Sequence, residues 1–374
     1  MKIISLRHLV LLYASCQCAA FFSVKAQING TGGNIPLAQK QFPWPNLPYK
    51  ADTGSGERGA QSGYNICNAT TLGPNSLCQT SFLNNLTDFC LWGAQKPNSV
   101  VGDIEGEMVA FCTNQNHGSR LLPIGAITGL QLTRTPGYIQ VVGFVNNLAL
   151  NIKAGDDGGE ADPHGADLRG NPLGGLVYSS AFNRPGTNSF TQVIEWNYFS
   201  GSNMFCFKAC DPAGANAASL CEHKYDRVGC EYNMPADYPK INGTFQACKG
   251  EDQLPVGQYV ENGATKTWKQ PPEDQGPIKN IPYKAPIPRS SECVFYASTE
   301  VFPPSAQATP LSGVPLSNDT TNSTNPKSNS GTPTKNLPPA ATGASRSSGA
   351  ASFSASWEIF IMILLFFTTR YIFN

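Results

Sequence analysis

The seven residues Met204-Phe205-Cys206-Phe207-Lys208-Ala209-Cys210 decide the fold. Read as a strand of period two, they put Phe205 and Phe207 on one face and Cys206, Lys208 and Cys210 on the other. An extended chain holds the Cα atoms of Cys206 and Cys210 about 13 Å apart, beyond disulfide reach, so each cysteine needs a different partner. Outward from this stretch the same periodicity recurs. Residues 138–145 form an apolar run interrupted by Gln140 and Gly143, suited to a buried strand. Residues 193–199 set Ile194, Trp196 and Tyr198 against Glu195 and Asn197, and Leu148, Leu150 and Ile152 alternate with small or polar residues. Helical periodicity is confined to two short candidates, 81–89 and 213–223. The expectation is an all-β fold, a disulfide-stapled β-sandwich or jelly roll with long loops.

The two ends of the chain read as processing signals. Lys2 and Arg7 precede a mostly apolar stretch at 9–22, and Val24-Lys25-Ala26 offers small residues to a signal peptidase. A mature chain starting at Gln27 lacks the N-terminal histidine of a histidine-brace copper monooxygenase. At the other end, 359–367 is nine apolar residues in a row, with Glu358 and Arg370 interrupting the longer stretch. That is short of the roughly 20 residues a membrane helix needs. Ser347-Ser348-Gly349-Ala350 and a small-polar spacer precede it, which is the order of a glycosylphosphatidylinositol (GPI) signal with attachment at Ser348, or at Gly343 as the rival. A single-pass membrane helix is the alternative. The expected organisation is a signal peptide at 1–26, a flexible lead-in at 27–41, a cysteine-stapled ectodomain at 42–298, a Pro/Ser/Thr-rich glycosylated stalk at 299–348, and a discarded anchor signal at 349–374.

Composition narrows the function classes. Of twelve cysteines, Cys16 and Cys18 fall in the leader. The other ten predict five disulfides in an oxidising compartment, with connectivity left open. Cys67, Cys78, Cys90 and Cys112 lie before the middle of the ectodomain, and Cys206, Cys210, Cys221, Cys230, Cys248 and Cys293 after it, which predicts two stapled regions flanking one core. Charged residues make up 14% of the chain and balance to zero net charge, so no nucleic-acid partner is expected. The membrane is reached through the lipid anchor alone. Solubility then falls to N-glycans at Asn29, Asn68, Asn85, Asn242, Asn318 and Asn322.

Three stretches carry candidate chemistry. Asp52-Thr53-Gly54-Ser55 matches the loop of aspartic proteases, but those need two such loops and the chain has one, so it reads as a turn. Residues 101–108, read as a strand, put Asp103, Glu105 and Glu107 on one face about 6.7 Å apart. Carboxylates so spaced can serve as the acid and nucleophile of a glycosidase, or simply form a solvated acidic strand edge. The glycine-rich loop 155–169 gathers Asp156, Asp157, Glu160, Asp162, His164 and Asp167. These can hold calcium, the only cofactor the chain suggests, or line a sugar cleft. An internally paired loop, with Arg169 against Asp162 or Asp167, needs no ligand at all. No Cys-x-x-Cys, zinc-spaced histidine pair or Gly-x-Ser-x-Gly elbow occurs.

Longer strings carry a resemblance. Leu47-Pro48-Tyr49-Lys50-Ala51-Asp52-Thr53-Gly54-Ser55-Gly56-Glu57-Arg58-Gly59, Tyr64-Asn65-Ile66-Cys67-Asn68-Ala69-Thr70, residues 162–172 and 201–214, and Cys221-Glu222-His223 resemble the fungal macrophage-activating glycoprotein family across 45–293. The resemblance implies a secreted or wall-associated fungal surface glycoprotein and brings no catalytic residues with it. The sequence therefore predicts a GPI-anchored surface or cell-wall glycoprotein that contacts wall polysaccharide or neighbouring surfaces without catalysis. Its alternatives are a wall-remodelling glycoside hydrolase and an adhesion or host-interaction protein. Sugar stacking, if present, would fall to Trp196, Tyr198 or Trp268.

Overall fold

A computed structural model describes residues 35–184 and 189–302. The leader, the anchor signal, most of the stalk and residues 27–34 lie outside the described residues, as do Asn29, Asn318, Asn322 and Ser348. All described residues fall in one unit of the chain.

Fifteen strands are described. The first half contributes β1 (Thr80–Asn85), β2 (Asp88–Gly93), β3 (Val109–Cys112), β4 (Arg120–Leu121), β5 (Ile127–Arg134), β6 (Tyr138–Val145) and β7 (Gly159–Ala161). Then come β8 (Leu176–Ser179), β9 (Thr191–Val193), β10 (Trp196–Gly201), β11 (Met204–Cys210) and β12 (Phe245–Gly250). The chain closes with β13 (Gln258–Glu261), β14 (Ala264–Thr267) and β15 (Ser290–Phe295). The helices are one turn or little more: α1 (Val101–Ile104), α2 (Ala217–Leu220), α3 (Gly229–Asn233), α4 (Tyr238–Ile241) and α5 (Ser298–Val301).

The strands assemble into a six-stranded sheet of order β4-β3-β2-β1-β8-β9, a seven-stranded sheet of order β15-β12-β5-β6-β11-β10-β7, and the hairpin β13-β14. Both large sheets are mixed, because β1 runs parallel to β8 and β12 parallel to β5. One apolar cluster joins the sheets: Phe82, Phe89, Leu91 and Trp92 from the first meet Val141, Trp196, Tyr198, Phe205 and Phe207 from the second. The Trp92 and Trp196 rings lie 5.8 Å apart, and the Tyr198 hydroxyl donates to the Trp92 carbonyl at 2.8 Å. The core reaches Leu37 at one end and Val301 and Phe302 at the other. The molecule is a disulfide-rich β-sandwich, the expected fold class.

β11 occupies the residues the period-two reading gave it. Phe205 and Phe207 are fully buried between the sheets, each contributing roughly 1.5–3 kcal/mol by removal from water. On the opposite face Cys206 bonds Cys230 and Cys210 bonds Cys221, so the two cysteines do take different partners. Those bonds draw the chain after β11 back across the outer face of the seven-stranded sheet. Between them stands Lys208, wholly buried, its Nζ donating to Leu220 O (3.1 Å), Asn233 O (2.6 Å) and Gln253 Oε1 (2.7 Å). The remaining bonds are Cys67–Cys78, Cys90–Cys112 and Cys248–Cys293. None links the first four cysteines to the last six, as the two-region reading requires.

Four local expectations are corrected. Residues 101–108 are not a strand but α1 followed by a 3-10 turn at Glu105–Glu107. Gly102 and Gly106 weaken any strand there, and the Val101 amide is drawn to Asp156 Oδ1 (3.4 Å) rather than to a neighbouring strand. Residues 81–89 are no helix: β1 and β2 form a hairpin turning at Leu86-Thr87, with the Thr87 amide donating to Asn85 Oδ1 (2.9 Å). Leu148 and Leu150 sit in a 3-10 turn at Asn147–Leu150, because the Asn146 side chain caps the Leu148 amide and Asn151 leaves it at φ 62°. Of 213–223, only α2 is α-helical.

Candidate functional site

A cleft of about 890 Å³ opens where the edge strand β7 meets the stapled segment. Its floor comes from β7 and β10, which pair with Glu160 opposite Phe199. Opposed residues of an antiparallel pair share a face, so Glu160 and Phe199 point the same way, toward the cleft that both line. One wall is the 3-10 turn carrying Glu105. The other is the segment 223–232, held down by the Cys206–Cys230 bond.

Glu105 is fixed by two donors. Its Oε1 accepts from the Glu160 backbone amide (3.2 Å) and its Oε2 from Asn171 Nδ2 (3.1 Å). The approach requires glycine at 159, since a Cβ there would sit 2.2 Å from Glu105 Oε1. Burial pushes the Glu105 carboxyl up to about 7, the charges of Asp162 and Asp226 adding to the rise against the Glu160 amide. Glu160 is only 4% exposed, and its Oε1 has no hydrogen-bond partner. Burial first, then Asp162 and Asp226, hold it well above the ordinary carboxylate range. Asp162 is also raised by burial, although its Oδ1 accepts the amides of His164 (2.6 Å) and Gly165 (2.9 Å).

A histidine pair flanks the carboxylates. The His164 ring stacks on His223 at 3.7 Å, and His164 Nε2 lies 3.3 Å from Glu195 Oε2. Burial pulls the His164 imidazole down, but the Glu195 bond and charge outweigh it and the net shift is upward. His223 shifts downward, by burial and by the neighbouring His164 charge.

The structure thus joins members of two separate sequence constellations. Glu105 enters the cleft, while Asp103 and Glu107 are exposed on the turn around it and do not line it. From the glycine-rich loop, Asp157, Glu160 and Asp162 line the cleft. Asp156 is buried and accepts the Gly158 amide through Oδ1 (2.9 Å). Asp167 lies outside, bonded to Arg58 through Nε (3.1 Å) and Nη2. Arg169 meets Asp167 at 3.6 Å but binds chiefly Asp52, with Nη2 2.6 Å and Nε 3.1 Å from the same Oδ2. Asp52 therefore serves to anchor Arg169, and Asp52-Thr53-Gly54-Ser55, expected as a turn, is an irregular stretch just before the turn at Glu57-Arg58, with the Gly54 amide donating to Asp52 Oδ1 (3.4 Å). Among the described residues no three His, Cys, Asp or Glu side chains gather as a metal site would need.

The wall residues His223, Asp226, Glu231 and Tyr232 escaped sequence reasoning. Their place follows from the Cys206–Cys230 pairing, which ten equivalent cysteines do not disclose. Trp196 and Tyr198 are fully buried between the sheets. A smaller pocket of about 300 Å³ lies elsewhere, where His117 stacks on Phe82 at 3.8 Å and bonds Asp88 through Nε2. Asn68, Asn85 and Asn242, the sequon asparagines among the described residues, are exposed. No described helix is long and apolar enough to cross a membrane.

Fold and site define a class: an all-β, disulfide-stapled sandwich whose prominent feature is one acidic cleft at a sheet edge. The chain belongs to the family of the appressorium proteins of the fungus Mycosarcoma maydis. It is 37% identical to appressorium protein ROW2 over 257 residues, which is 68% of this chain and 81% of ROW2. It is 43% identical to appressorium protein ROW1 over 234 residues, 62% of this chain and 51% of ROW1, so the chain spans about half the length of that relative. No family model matches the chain, and no solved structure matches it.

Proposed function

We propose that the protein is a secreted fungal surface glycoprotein that contacts polysaccharide through the acidic cleft. The observation that carries this reading is the cleft itself: about 890 Å³, open to solvent, and lined by carboxyl groups and five glycines, Gly158, Gly159, Gly165, Gly201 and Gly229, that expose backbone amides and carbonyls. A hydroxyl-rich ligand is met by such a surface. The surroundings agree with a place outside the cell. Five disulfides suit an oxidising compartment, three exposed sequons are available to glycans, and the relatives are named as appressorium proteins of a fungus. In this proposal Ser348 carries the GPI anchor, residues 299–348 are the stalk, and the resemblance to macrophage-activating glycoproteins reflects a shared surface role, with host contact as a further use of the same display.

A glycoside hydrolase is the second reading, supported by one observation: Glu105, with its carboxyl raised to about 7, stays protonated under mildly acidic conditions as a general acid must. Its partner carboxyl would be sought among the acids that line the cleft with it, Asp162 or Asp226, not in Asp103 or Glu107.

The test is co-sedimentation of the purified chain with insoluble fungal chitin and glucan, with mass spectrometry of the supernatant for new oligosaccharides. Retention without products, abolished by Glu105→Gln with Asp162→Asn, is the expected result. Products that disappear in that variant would establish hydrolysis instead. No retention on any wall polysaccharide would end the polysaccharide reading.

A further inference from the structure

The cleft gathers seven acids without a cationic partner, whereas of the acids elsewhere among the described residues nine have one and others, such as Asp103, Glu107 and Asp252, do not. Asp52, Asp88, Asp167, Glu195, Glu222, Asp237, Glu251, Glu261 and Glu292 all sit within 4 Å of an Arg, Lys or His nitrogen. In the cleft, the inner Glu105, Glu160 and Asp162 and the outer Asp157, Asp226, Glu231 and Glu273 take part in no such pair among the described residues. The lining holds one guanidinium, Arg227, and its nitrogens are already given to carbonyls of the chain. Nη1 donates to Pro271 O (2.8 Å) and Pro272 O (3.2 Å), and Nη2 donates to Gly276 O.

A second observation points to a ligand. Glu160 lines the cleft, is 4% exposed, and keeps Oε1 without any hydrogen-bond donor. A buried acceptor left unpaired costs roughly 1–3 kcal/mol, and a ligand that brings a donor recovers it. The charges raise one another's protonation through space, Asp162 and Asp226 both acting on Glu105 and on Glu160. A cation entering among them relieves that repulsion directly.

We infer that the cleft takes a cationic amino-sugar oligosaccharide, a deacetylated stretch of chitin, with its ammonium groups set against Asp157, Asp226, Glu231 and Glu273. This inference rests on the polysaccharide reading above and names the ligand class. Two features favour a sugar over a basic peptide. Long Lys or Arg side chains lay their stems along apolar surface, whereas five of the lining residues are glycines, which present backbone instead. Tyr232, whose hydroxyl is fixed to Tyr283 O at 2.8 Å, offers a ring at the wall against which a pyranose can stack.

The experiment is calorimetric titration of the purified full chain with four soluble probes: a fully deacetylated chitin hexamer, its N-acetylated counterpart, a β-1,3-glucan hexamer and hexalysine. It is repeated with Asp226→Asn/Glu231→Gln, two exposed positions whose replacement leaves the melting temperature as a control of folding. The expected result is binding of the deacetylated hexamer at least about tenfold tighter than the acetylated one, weakened about tenfold or more by the double variant and by raised salt. Equal binding of the acetylated, deacetylated and glucan hexamers, untouched by the variant, would overturn the inference and leave the polysaccharide reading standing. Hexalysine binding as tightly as the deacetylated hexamer would overturn it in favour of a basic peptide. Absence of binding by every sugar would remove both readings together.

Discussion

Replacing Glu105 by glutamine should change how stability depends on pH, by an amount the structure specifies. In the unfolded chain this carboxyl titrates near its ordinary 4.5; in the fold, burial and the charges of Asp162 and Asp226 carry it to about 7. Between those values the folded protein keeps a proton that the unfolded chain has released. The sign follows: Glu105 leaves stability intact below about pH 4.5 and erodes it as pH rises to 7, by at most about 3 kcal/mol at 1.36 kcal/mol per pH unit. Glutamine cannot ionise, so that loss disappears. It retains the bond from the Glu160 amide through its carbonyl oxygen, but its own NH₂ then faces Asn171 Nδ2, another donor. Asn171 cannot turn over freely because its Oδ1 already accepts from Arg58. One hydrogen bond is lost at about 1 kcal/mol. Glu105→Gln should therefore be about 1 kcal/mol less stable than the parent at pH 4.5 and about 2 kcal/mol more stable at pH 8. The assay is urea unfolding at both pH values with disulfides intact, followed through the buried Trp92 and Trp196. Subtracting parent from variant removes every titrating group not coupled to Glu105. Parallel stability–pH curves for the two proteins would refute the reasoning, because Glu105 would then titrate as an ordinary solvated acid.

Removing the staple with Cys206→Ala/Cys230→Ala frees a loop of 24 residues and should cost about 3.5 kcal/mol on the chain-entropy scale; hydrogen exchange should rise in residues 222–232 while β6 stays protected. Lys208→Met should destabilise by about 2–4 kcal/mol, measured by thermal unfolding, since relief of a buried ammonium only partly offsets three acceptors left without a donor. Arg169→Ala leaves Asp52 buried without its cation and should cost about 3–5 kcal/mol, with Arg169→Lys recovering only part because an ammonium cannot span the same acceptors. Truncation before Ser348 should move the protein from membranes to the medium; retention of the shortened chain would refute the anchor.

The parts of the fold legible in the sequence are those where burial alone sets the pattern. β11 could be read because its apolar face and its cysteine face alternate without a break, and the demand that Cys206 and Cys210 find separate partners is simple geometry. Residues 101–108 alternate just as regularly, yet their backbone joins no ladder, β7 meeting them through the Glu105 side chain, and two glycines let the backbone coil into a turn. The hairpin β1–β2 was hidden for the opposite reason: β1 is buried on both faces, so it shows no alternation. The site was legible only in fragments. Glu105 and the loop at 155–169 stood out as acidic, but their meeting depends on the missing side chain of Gly159 and on an edge strand of three residues. The far wall depends on one disulfide among many equivalent pairings. Long-range covalent choices of this kind leave no local trace.

The way the far wall is fastened has an evolutionary consequence. Cys221 and Cys230 fix to β11 the two ends of an arc with eight residues between them, and of those eight only Tyr225 is buried outright, its hydroxyl tied to Trp268 O. Substitutions at His223, Asp226 or Arg227 change what lines the opening without touching the interior between the sheets. The arc thus behaves as an exchangeable cassette on a permanent frame, and members of one family can diverge in what they recognise while inheriting the same sandwich unaltered.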